Sequence, residues 1–144
     1  MIAWYIPDEW LDSRAREHPP QDILEAARMA NRLANSTSRT IPYTSIPLIV
    51  HQTWMDTKVD SWSDDMAVGV EQWLTYASAE GNSSMAYFWW LDDGCKNLID
   101  TSAPEIAEMV NVLPQMVEKS DVFRIVVTNT IGGVVCCIHC IRHD

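Results

Sequence analysis

The stretch Lys119-Ser120-Asp121-Val122-Phe123-Arg124-Ile125-Val126-Val127-Thr128-Asn129-Thr130-Ile131-Gly132-Gly133-Val134 reads as a helix followed by the turn that ends it. Ser120 is a preferred residue type for a helix N-cap, and Val122, Phe123, Val126, Val127 and Ile131 recur at helical spacing, so one side packs inward. Asp121, Arg124 and Thr128 share the other side. Gly132-Gly133 ends the helix and lets the backbone turn and approach another segment closely before the strand-like Val134-Val135. A charged pair on a helix beside a glycine turn into a strand is one way to present polar groups at a strand's end. An ordinary surface ion pair produces the same pattern.

Working outward, Leu48-Ile49-Val50 is a short apolar run suited to a buried parallel strand, and His51-Gln52-Thr53-Trp54 is expected just past its C-terminal end. Open α/β sheets place ligand-binding loops at that position. A Trp there can stack on a base, and His or Gln can hydrogen-bond a ribose or phosphate; equally, Trp54 can be a core aromatic and His51 a loop residue. Ser63-Asp64-Asp65 caps a predicted helix in which Met66, Val70, Trp73, Leu74 and Ala77 repeat at helical spacing, ended by Gly81-Asn82. Met85 to Leu91 reads as a second buried strand, followed by an acidic turn, Asp92-Asp93-Gly94, and one helical turn through Cys95, Leu98 and Ile99. Ser102-Ala103-Pro104-Glu105 has the capping-box form ahead of Ile106, Met109, Val110 and Leu113, and Pro114 closes that helix. Upstream, residues 1–21 show no sustained period and read as an irregular arm; from Asp22, Ile23, Ala26, Ala27, Ala30 and Leu33 suit an amphipathic helix. Asn35 to Thr40 reads as a polar linker. The alternation of strands and helices is that of an α/β unit with a mostly parallel sheet.

The chain has 144 residues, enough for one domain with a real core but small for an enzyme built on a full α/β sheet. A hydrophobic content of 47% with seven Trp favours a folded globular class over disorder, and a formal charge of −10 argues against nonspecific nucleic-acid binding and has the wrong sign for anionic lipid. No apolar run approaches the roughly eighteen residues of a transmembrane helix, and Met1 to Ile6 is too short for a signal peptide. Asn35-Ser36-Thr37 and Asn82-Ser83-Ser84 are acceptor sequons, usable in a secretory compartment.

Taken with Ile46-Pro47-Leu48-Ile49-Val50-His51-Gln52-Thr53-Trp54 and Met85-Ala86-Tyr87-Phe88-Trp89-Trp90-Leu91-Asp92-Asp93, the Lys119–Val134 stretch resembles glycosyltransferase family 32, a DXD-containing family of sugar transferases that includes the fungal initiation-specific alpha-1,6-mannosyltransferase. The resemblance runs from about Ile46 to Val134. It implies the N-terminal part of a GT-A-type nucleotide-sugar transferase domain, incomplete at its C-terminus, over residues 41–135, preceded by an arm and stem-like helix over 1–40 and followed by a non-family tail over 136–144. The implied parent activity is transfer of a hexose, mannose from GDP-mannose, to a glycan or glycolipid acceptor in the Golgi. The implied nucleotide-sugar-binding residues are His51, Gln52, Trp54, Asp121, Arg124, Gly132 and Gly133, with Asp121 on sugar hydroxyls and Arg124 on the anionic donor.

Family members continue from the glycine pair into an Asp-x-Asp run that holds a divalent cation, typically manganese, against the departing diphosphate. Here the chain instead reads Val135-Cys136-Cys137-Ile138-His139-Cys140-Ile141-Arg142-His143-Asp144. No catalytic residue is therefore assigned, and weak or absent transfer is expected from this chain. A noncatalytic nucleotide-binding or partner-binding role is the alternative. Cys137, Cys140 and His143 are soft ligands of the kind that bind zinc, although zinc sites usually draw ligand pairs from separated segments, so a small zinc-binding protein is the lesser possibility.

Overall fold

The computed structural model describes residues 3–53, 63–77 and 84–136. Its order is β1 (Trp4–Tyr5), a 3-10 turn (Asp8–Trp10), α1 (Ser13–Glu17), α2 (Ile23–Ser36), β2 (Ile49–Thr53), α3 (Asp64–Ala77), β3 (Ala86–Trp90), α4 (Asp92–Ser102), α5 (Pro104–Asn111), α6 (Met116–Thr130) and β4 (Val134–Cys136). The four strands form one sheet in the order β1-β3-β2-β4. β2 lies parallel to both β3 and β4, with Thr53 opposite Trp90 and Gln52 opposite Cys136. β1 is antiparallel to β3, so the sheet is mixed rather than mostly parallel.

Strand alternation divides the core into two unequal parts. On one face Ile49, Ala86, Phe88 and Trp90 pack with the buried sides of α2, α4 and α6. On the other, Val50, Tyr87 and Trp89 meet Val70 of α3. All five residues of β3 are buried, which explains the uninterrupted apolar run of this central strand. The apolar face of α2, from Leu24 to Ala34, belongs to the same buried cluster as the sheet.

The predicted irregular arm contains structure that its sequence does not announce. β1 pairs Trp4 with Phe88, and Trp10 is buried. Asp12 caps α1 through the Ala15 N–H and bonds Arg32 of α2 at 2.7 Å, contacts that hold its carboxyl at about 2. A two-residue strand cannot show a period; β3 supplies its hydrogen bonds, including Trp89 N–H to Ala3 O at 2.7 Å.

Several boundaries also differ from expectation. β2 continues through Thr53, so His51 and Gln52 lie inside the strand instead of beyond it. Asp92 and Asp93 open α4 where a turn was expected. Ser102 makes no cap: α5 starts with Pro104 at its first position and Ala103 before it, and proline's preset φ suits that start without a side-chain acceptor. α6 begins at Met116, where Glu118 Oε2 accepts from the Gln115 N–H at 3.3 Å. Ser120 is therefore interior to the helix, and its hydroxyl is used elsewhere.

The predicted inward residues of α6 are placed as the spacing requires. Phe123, Val126, Val127 and Ile131 are buried, and Val122 is half-buried against the same cluster. Gly132 and Gly133 follow with φ of +85° and +97°, the left-handed region that glycine adopts without strain.

Candidate functional site

α6 runs back along the sheet and delivers the chain into β4, so its first turns lie at the C-terminal ends of the parallel strands. Thr53 Oγ1, at the end of β2, is 3.3 Å from Ser120 Oγ. One residue on, Asp121 is 67% exposed, and its Oδ1 is 4.0 Å from Arg124 Nη1, a side chain 41% exposed. Arg124 Nε is buried without a hydrogen-bond partner. Thr128 turns its hydroxyl onto its own helix, donating to Arg124 O at 2.8 Å. Asp92 opens α4 just past Trp90, the residue paired with Thr53. Burial and the neighbouring Asp93 raise its carboxyl above the ordinary range, while Lys119 acts in the opposite sense. This rim thus gathers two hydroxyls, an acid and an incompletely bonded guanidinium, with a second acid–lysine pair close by.

His51 is enclosed. It is 0% exposed, its ring lies 5.6 Å from Phe88 and 6.0 Å from Trp90 between centroids, and both nitrogens are engaged. The Trp90 indole can only donate, so His51 Nδ1 accepts from it at 3.0 Å. The proton therefore sits on Nε2, which donates to the Gly132 carbonyl at 2.9 Å. Burial lowers this imidazole to about 4. A neutral His with both nitrogens bonded inside the core presents no atom to a ligand.

Gly133 is equally committed to packing. A Cβ built there would sit 2.3 Å from Ile49 O and 2.8 Å from Ile49 Cβ, and one on Gly132 would sit 3.1 Å from Pro47 Cγ. The close approach expected of the glycine pair is to the start of β2 and to Pro47 just before it. Gln52 points to the opposite face from His51; it too is 0% exposed, its Oε1 accepts from the Tyr87 hydroxyl, and its Nε2 has no partner.

Of the residues expected to bind a nucleotide sugar, Asp121 and Arg124 reach solvent together at the rim, the buried His51 bonds the half-buried Gly132–Gly133 turn, and Gln52 is buried on the sheet face opposite His51. Trp54, and the candidate zinc ligands Cys137, Cys140 and His143, fall outside the described residues. Thr53 and Ser120 were not expected as a rim pair; their contact joins segments 67 positions apart, and no local pattern announces it. Among the described residues, no group of three or more His, Cys, Asp or Glu side chains is placed to hold a metal ion. Burial, reinforced by Asp92, pushes the Cys95 thiol up to about 12, which disfavours its thiolate. Among the described residues, no helix is long and apolar enough to cross a membrane.

These features define a helix-flanked α/β unit with a polar rim at the carboxyl ends of its parallel strands. No family model, curated protein or solved structure matches the chain.

Proposed function

We propose that this chain is the nucleotide-sugar-binding part of a GT-A-type glycosyltransferase related to family 32, whose parent reaction moves a hexose, mannose from GDP-mannose, to a glycan or glycolipid acceptor in the Golgi. The observation that carries this reading is the Thr53–Ser120 contact, which sets Asp121 and Arg124 at the mouth of the parallel strands, where open α/β sheets bind ligands. Arg124 can turn its guanidinium to diphosphate oxygens, and Asp121 can accept from sugar hydroxyls. The 4.0 Å separation between them leaves both free to exchange a long mutual contact for shorter bonds to a ligand.

The buried His51 leaves Asp121 and Arg124 to meet the donor, and the lack of an Asp-x-Asp run after Gly133 favours binding over turnover for this chain. Titration calorimetry with GDP and GDP-mannose, with and without manganese, tests the reading. Binding of GDP-mannose is expected, weakened about 10–100-fold in Arg124→Gln, as loss of a charge-assisted hydrogen bond worth roughly 1.5–3 kcal/mol implies. Absence of heat with both nucleotides would remove the proposal. Manganese-dependent mannose transfer by the purified chain would restore catalysis to it.

A further inference from the structure

Asn35-Ser36-Thr37 has the Asn-x-Thr form that accepts an N-linked oligosaccharide. The three residues occupy the last turn and the C-cap of α2, and all are exposed. Asn35 Nδ2 makes one exposed bond, 3.3 Å to Asn31 Oδ1, which a glycan could replace without disturbing the core. Asn31, one turn earlier, donates to Ile131 O at 2.6 Å, at the far end of α6 from Ser120. A rise of about 1.5 Å per residue puts Ser120 and Ile131 roughly 16 Å apart, so a group on Asn35 projects from the pole opposite the rim.

Timing during synthesis also favours modification. α2 has 14 residues and buries its apolar face against β3 and α4, both of which begin fifty or more positions after it ends. A helix of this length is marginal by itself in water, so the sequon stays conformationally open until those partners emerge. In the other sequon the third residue, Ser84, is 1% exposed and donates to Glu9 Oε1 at 2.6 Å in the folded chain.

We propose that Asn35 is an N-glycosylation site, an inference that rests on the secretory setting proposed above. Asn35 Nδ2 forms a bond to the anomeric carbon of a lipid-diphosphate-linked oligosaccharide. The lipid diphosphate leaves with the bonding electron pair, and Nδ2 gives up one proton to the oligosaccharide transferase. The full chain, directed into the endoplasmic reticulum of a eukaryotic cell by an added cleavable signal, provides the test. A mass increment removable by endoglycosidase is expected on the peptide spanning 33–39, lost in Asn35→Gln and Thr37→Ala, kept in Thr37→Ser, and accompanied by an unchanged near-ultraviolet spectrum. Signal-cleaved protein with bare Asn35 would overturn the site. Failure of the chain to reach the lumen from its natural transcript would instead overturn the Golgi setting and leave the result at Asn35 standing.

Discussion

His51 and Gln52 are consecutive residues of β2, equally buried, and they face opposite sides of the sheet into different chemistry. On the helix-packed side, His51 has a donor, an acceptor and two aromatic neighbours arranged around it, and every polar atom of the ring is satisfied. On the α3 side, the Gln52 amide is bonded at its oxygen alone. Reversing the amide would exchange an unpaired N–H for an unpaired carbonyl. The contrast teaches that burial by itself does not identify a ligand-binding residue. His51 is fixed by its own fold, whereas Gln52 keeps an unpaired N–H on the opposite face.

The largest effect in that comparison is expected at the turn His51 holds. Gly133→Ala adds a Cβ 2.3 Å from Ile49 O at a φ of +97°, a backbone clash that no rotamer relieves. Urea denaturation should show a loss of about 4 kcal/mol or more, in the range reserved for strained or overpacked core sites. A loss below about 1 kcal/mol would mean that β4 does not sit against β2 as described.

His51→Phe should come next. It strands the Trp90 indole N–H and the Gly132 carbonyl, at about 1–3 kcal/mol for each unsatisfied group. The same residue makes the fold sensitive to acid. Below about 6.5 the unfolded chain protonates this imidazole, while the folded chain resists until about 4. Stability is therefore complete above 6.5 and falls as pH drops through that window, by on the order of 3 kcal/mol at about 1.4 kcal/mol per tenfold. His51→Phe should flatten this part of the stability profile, and an unchanged profile would place the titration elsewhere.

On the other face, Gln52→Met combined with Tyr87→Phe removes a bonded pair together with its orphan N–H. The change in stability should stay within about 1 kcal/mol, because removing both partners of a buried bond is near neutral. A loss comparable to that of His51→Phe would erase the distinction between the faces. The smallest effect belongs to the rim: Asp121→Asn should shift stability by less than about 0.5 kcal/mol, as expected for an exposed pair, while nucleotide-sugar affinity falls about tenfold if the rim binds donor.

Much of this architecture was legible because its signals are local. The apolar spacing of Val126, Val127 and Ile131 marked the buried side of α6, the Ala-rich period after Asp22 marked α2, and the aromatic run at Ala86–Trp90 marked a central strand. The glycine pair announced a turn of unusual φ, which it makes. The antiparallel β1 escaped because two residues carry no period and its partner lies more than eighty positions away. The site was less legible for a related reason. His51 in a strand-ending tetrapeptide reads as either a ligand contact or a loop residue, and only the tertiary structure shows Trp90 and Gly132 occupying both its nitrogens.

By itself, the sequence determined the class of fold, the buried sides of the main helices, the two central strands, the glycine turn, and the Asp121–Arg124 pair on the outer side of α6. Only the tertiary structure decided the mixed sheet order, the extension of β2 through Thr53, the meeting of His51 with Gly132, and the Thr53–Ser120 contact that brings the pair to the rim. The physical reason is range. Periodicity, capping and positive φ act over a few residues and are written into neighbouring positions, whereas the partner of a buried hydrogen-bonding group is chosen by strand pairing between segments separated by most of the chain.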